Sequence, residues 1–136
     1  MSGPMPAWVE PWVGLPFRDC GRGPREVDCY GLVVCLLRER LGLDLPALDS
    51  YSDTEDPVEL ATVVSGVRAR WREVFRPIEC DVVLFRITGL PCHVGVVVDV
   101  EGAWFLHAQR GVGTACERWD SPRWNRRVEG FYRWTP

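Results

Sequence analysis

Two hydrophobic periods divide the chain. From residue 28, the stretch "DCYGLVVCLLRERLG" sets Leu32, Val33, Leu36 and Leu37 at helical spacing. Asp28 can cap that helix and Gly42 can stop it, which predicts a helix from about 28 to 41. From residue 80 onward the period is two instead. Segments 80–87 ("CDVVLFRI"), 93–100 ("HVGVVVDV"), 103–108 ("AWFLHA"), 114–119 ("TACERW") and 127–134 ("RVEGFYRW") read as strands. Ahead of the helix, "AWVEPWVGLPF" (7–17) reads as a short aromatic helix or turn ended by Gly14 and Pro16, and 18–27 as a Gly- and Pro-containing loop. Residues 49–57 form a polar, acidic connection without the spacing of a calcium loop. A second helix is expected from 57 to about 71, with Pro57 in its first turn. Helices first and short strands afterwards define an α+β class, with N-terminal helices packed on a mainly antiparallel sheet of five to six strands. No repeat or low-complexity linker interrupts this order, so residues 1–136 are read as one domain.

Strand parity brings the two histidines together. In 93–100, Val94, Val96, Val98 and Val100 share one face, expected to be the core, while His93, Gly95, Val97 and Asp99 share the other. In 103–108, His107 shares a face with Ala103 and Phe105. A three-residue loop at 100–102, or an equivalent bulge, pairs Asp99 with Ala103 and Gly95 with His107. His93 and His107 then become diagonal neighbours, about 7–8 Å apart at the backbone. A two-residue turn would shift parity and separate them across the sheet. The three-residue arrangement is the expectation adopted.

Composition narrows the partners. The chain is 46% hydrophobic and 26% charged, ordinary for a folded domain. No run approaches the about 20 apolar residues that span a bilayer, so membrane insertion is not expected. The opening "MSGPMPAWVEPW" lacks a basic n-region and an apolar h-region, so cytoplasmic synthesis without a signal peptide is expected. The net charge is −3, and all 16 basic residues are scattered arginines, which gives no footprint for nucleic acid. Cys20, Cys29, Cys35, Cys80, Cys92 and Cys116 read as reduced thiols, with no C-x-x-C pair. No metal or other cofactor is expected; a zinc site is the plain alternative use of these cysteines. Trp8, Trp12, Trp104 and Trp134 fall in apolar stretches and are assigned to the core. Trp71, Trp119 and Trp124 stand near charges, where they suit a groove or a partner interface.

Cys29 begins the predicted helix, where unpaired N–H groups and the positive end of the dipole favour a thiolate and can stabilise an oxyanion. Asp28 works against a second negative charge beside it, so a cationic partner is required. The alternative is a small buried core thiol. With His93 as base and His107 holding it in orientation, the residues form the set of a cysteine hydrolase.

At "DCYGLV" (28–33), "HVGVVV" (93–98) and "FLHA" (105–108) the chain resembles the NlpC/P60 family of papain-like cysteine peptidases. "GLPF" (14–17), "CDVVLF" (80–85) and "VEGFYRW" (128–134) fit the same order, and together the resemblance spans most of residues 10–134. It implies a papain-like α+β fold and hydrolysis of bacterial peptidoglycan stem peptides, typically beside a D-isoglutamyl residue. It implies Cys29 as nucleophile, His93 as general base and His107 as the third catalytic position. Asp28 matches a position that helps bind a substrate's free amine, a role compatible with a helix cap. Two residues depart from the pattern on the substrate side: Tyr30 stands where serine is frequent, and Phe17 where tyrosine is frequent.

The aromatic Tyr30, the "GRGP" loop (21–24) and the "EGFYRW" ending (129–134) resemble the branch found in tails of phages and phage-like gene-transfer particles. That implies tail proteins as partners and a virion tail as location. A tail-tip assembly module that keeps the fold without catalysis is the alternative, favoured by Phe17 and Tyr30. A lipid-acting acyltransferase fits less well, because Cys29 precedes His93 and no basic amphipathic helix is present.

Overall fold

A computed structural model of the chain describes residues 5–45 and 71–135. The acidic connection at 49–57 and the second predicted helix lie outside them, except for Trp71. That residue was expected to end a helix but instead begins a strand.

Asp28 caps helix α1 (Cys29–Leu41), and Gly42 closes it in the left-handed conformation at φ 66°, its N–H donating to the carbonyls of Arg38 and Leu37. The first two turns of α1 are buried well beyond the predicted face: Cys29, Tyr30 and Val34 are enclosed together with Leu32, Val33, Leu36 and Leu37. Polar residues appear only at the far end, as expected of a helix that starts inside the core. Before it, Ala7–Trp12 forms a short 3-10 helix that buries Val9 and Trp12.

Among the described residues six strands follow: β1 (Trp71–Val74), β2 (Val82–Ile87), β3 (Leu90–Asp99), β4 (Trp104–Gln109), β5 (Gly113–Arg118) and β6 (Val128–Trp134). They form one antiparallel sheet in the order β1-β6-β2-β3-β4-β5. Strand β1 was absent from the sequence reading; it pairs with β6, where Trp71 meets Trp134 edge to face at 5.1 Å.

Alternation along the strands sends residues to two apolar layers. Val82, Val96, Val98, Leu106 and Ala108 join α1 on one face. Val83, Phe85, Phe105 and Trp124 close the other. Val100, expected on the core face, leaves into the β3–β4 turn and is exposed. Trp124, expected at a groove or interface, is 0% exposed. The β5–β6 connection turns back through bonds from the Trp124 and Asn125 N–H groups to the Ser121 carbonyl, which lays the indole over the second face.

Candidate active site

The residues on either side of Cys29 are fixed first. Asp28 is fully buried, and its carboxylate is engaged within the fold: Oδ1 accepts from the Gly31 N–H at 2.7 Å and from Arg22 Nη1 at 3.0 Å, and Oδ2 accepts from the Cys20 N–H at 2.9 Å. The helix cap is therefore also the post to which the 18–27 loop is tied. Cys29 is the first helical residue and is 6% exposed. The backbone N–H groups of Val94 and Tyr30 lie close enough to its sulfur to favour the thiolate, which puts the helix start beside β3 one residue beyond His93. Burial pushes the thiol up to about 12; the Asp28 charge and neighbouring Cys92 add to this, and the two N–H groups oppose it.

Strand register then joins the histidines. Val96 faces Leu106 and Val97 faces Phe105, which is the predicted pairing at the histidine end of the hairpin. The turn end differs: the register slips between Val97 and Asp99, and Asp99 pairs with Trp104 rather than Ala103. A bulge thus absorbs the extra residue, with Ala103 at φ 55° and the Asp99 carboxylate accepting from the Gly102 N–H at 3.2 Å. His93 Nε2 lies 2.8 Å from His107 Nδ1. Gly95 makes this approach possible, because a Cβ there would sit 2.7 Å from the Phe105 ring and 3.3 Å from the His107 Cβ.

Two further residues complete the cluster. Glu117 on β5 places Oε2 2.6 Å from His107 Nε2, while its Oε1 accepts from Arg123 Nη1 at 3.3 Å. Trp124 stacks on His93 at 5.7 Å and 19°, and meets His107 edge-on at 5.1 Å. Phe85 and Phe105 close the remaining sides, at 5.9 Å from His93 and 4.5 Å from His107. His107 is 1% exposed, whereas His93 is half-buried.

Burial lowers the pKa of His93 to about 3, with His107, Arg123 and Arg127 acting in the same direction. Burial also lowers that of His107; Glu117 pulls it back up and Arg123 opposes Glu117. At neutral pH the resting site therefore holds a protonated thiol and two neutral imidazoles.

Of the residues the sequence placed on the substrate side, Tyr30 is buried, with the Arg22 guanidinium 5.4 Å from its ring centre. Phe17 is half-buried beside Val27, with Arg110 at 5.3 Å from its ring. Sequence reasoning missed Glu117. The signal was the 110–112 turn, which pairs His107 with Ala115 and leaves Glu117, two residues on, on the same face.

A thiol at a helix start, set against an antiparallel sheet that carries two imidazoles in series, defines a papain-like α+β protein. The family model described as NlpC/P60 family matches residues 14–133, and the chain belongs to that family. The chain is 29% identical over 116 residues to murein DD-endopeptidase MepS/murein LD-carboxypeptidase of Escherichia coli (strain K12), covering 85% of this chain and 54% of that one. It is also 29% identical over 122 residues to the probable endopeptidase NlpC of the same strain, covering 87% and 68%. The chain thus spans about half the length of MepS. Among solved structures, the NlpC/p60 domain of the peptidoglycan hydrolase SagA superposes with a TM-score of 0.60 at 17% identity, covering 95% of this chain and 94% of that domain.

Proposed function

We propose that the chain is a cysteine peptidase that cleaves peptidoglycan stem peptides through a Cys29 thioester. The observation that carries this reading is the pair of imidazoles joined at 2.8 Å, His93 Nε2 to His107 Nδ1, on the sheet against which the helix begun by Cys29 packs. The name of MepS, a murein DD-endopeptidase, supports the substrate class, and that of NlpC, a probable endopeptidase, supports the reaction.

The neutral resting site sets the order of events. Sγ attacks the scissile carbonyl while His93 takes the thiol proton, so a separated thiolate beside Asp28 is never stored. The N–H groups at the helix start stabilise the oxyanion. His93 then gives its proton to the leaving amine as the C–N bond breaks. A water, deprotonated by His93, hydrolyses the thioester and restores the thiol. His107 holds His93 in orientation. Phe17 contributes to the substrate side directly, whereas Asp28 and Tyr30 act there by fixing the loop and the helix start.

Mass spectrometry of muropeptides after digestion of purified wall tests the reading. Wild type releases stem-peptide fragments, and Cys29→Ala and His93→Ala release none. A wild type inactive on every wall chemotype would overturn it and leave the assembly module.

The association with a phage or phage-like tail is the second part of the proposal, supported by Tyr30 after the nucleophile, the 21–24 loop and the 129–134 ending. Particles purified from a producing strain are expected to carry the chain in the tail fraction on immunoblotting. Its presence only in particle-free lysate would remove the tail from the proposal.

A further inference from the structure

We propose that Glu117 is a positioning residue that fixes the proton on each histidine and leaves Nδ1 of His93 as the catalytic base. The proposal rests on the hydrolase reading for the role of His93, and its geometry comes from β5, an element outside the recognised motifs.

An ionised carboxylate only accepts hydrogen bonds. At 2.6 Å from Glu117 Oε2, His107 Nε2 must therefore carry the proton. A neutral imidazole has one N–H, so His107 Nδ1 is left as an acceptor. His93 Nε2 lies 2.8 Å away and must donate to it. That places the second proton and leaves the His93 Nδ1 lone pair unprotonated. The opposite assignment sets the lone pair of His107 Nε2 against a carboxylate oxygen and puts a proton on His93 Nδ1, which removes the base. One carboxylate thus selects the productive tautomers of two rings. The His107 N–H bond keeps the carboxylate ionised, and Arg123, which pairs with Oε1 at 3.3 Å, adds to this. The charged groups facing the rings are Glu117 from β5 and Arg123 and Arg127 from the connection to β6.

The two substitutions separate position from charge. Glu117→Ala frees His107 to adopt either tautomer and is expected to lower kcat about 100-fold, the lower end of what a positioned base supplies, with KM little changed. Glu117→Gln can still accept the Nε2 proton through its carbonyl and is expected to recover part of that loss. It lacks the negative charge that stabilises an imidazolium, so the acid limb of its kcat/KM profile moves to lower pH. Nitrogen-15 spectra of the two imidazoles in the uncomplexed protein give a readout independent of activity. Wild type is expected to show protons on Nε2 of both rings, and Glu117→Ala to show His107 with Nδ1–H as well. Unchanged tautomers in Glu117→Ala, or an unchanged kcat, would overturn the proposal. Should Cys29→Ala prove as active as wild type, the hydrolase reading fails, while the spectra still decide whether Glu117 sets the protons.

Discussion

Gly31 shows how closely the loop and the nucleophile helix are fitted. Glycine inside a helix costs about 1 kcal/mol against alanine, so its place in the first turn of α1 needs a reason. A Cβ at this position would overlap the carbonyl oxygen of Gly21, and the same oxygen accepts the Asp28 N–H at 3.2 Å. The loop lies directly on the helix start, and glycine is what lets it. Gly31→Ala must push the 18–27 loop outward and strain the Asp28 bonds to Cys20 and Arg22. A loss of about 3 kcal/mol, the upper end of overpacking costs, is expected. Urea denaturation followed by circular dichroism would show it as a lower midpoint at an unchanged slope; an unchanged midpoint would mean that the loop does not rest on α1.

At the scale of elements, local pattern was enough where the elements carry their own chemistry. Helix α1 has a side-chain cap and a left-handed glycine stop, and both are visible in the residues themselves. The hairpin of β3 and β4 was legible through parity, because a one-residue shift of register would send His93 and His107 to opposite faces. Its turn was not, since Asp99 with Trp104 and Asp99 with Ala103 are locally similar and a bulge settles the difference. Strand β1 escaped because four residues, "WREV", are long enough for a strand only when β6 is beside them. Trp124 escaped for a related reason. The charges around it, Arg123 and Arg127, mark an exposed segment, yet both guanidiniums lie over the indole, at 5.0 and 5.5 Å, while the ring itself faces inward. Its burial is a property of the folded-back connection, which local sequence does not encode. The meeting of His93 and His107 was legible, and the residues that touch them, Glu117 and Trp124, became visible only in three dimensions.

At the scale of the whole molecule, the sheet encloses its two histidines between strands and the β5–β6 connection, and this couples stability to pH. From about pH 6.5 to 5 the chain's two histidines are the side chains whose ordinary pKa is crossed, the carboxylates following nearer pH 4. In the unfolded chain an imidazole takes up its proton near pH 6.5, whereas folded His93 resists until about 3. His107 is shifted in the same direction. Throughout that interval the unfolded state binds more protons, so folding stability is fully present above pH 6.5 and falls as the pH falls. The slope is about 1.4 kcal/mol per pH unit for each proton taken up. Urea midpoints measured from pH 7.5 to 5 are expected to decline below 6.5, and His93→Gln is expected to flatten the decline. Loss of the folded state with acid would then accompany loss of the base, since the same protonation of His93 ends both. A wild-type midpoint constant from pH 7.5 to 5 would show instead that the rings accept protons as readily in the fold as outside it, and the neutral resting site would have to be abandoned.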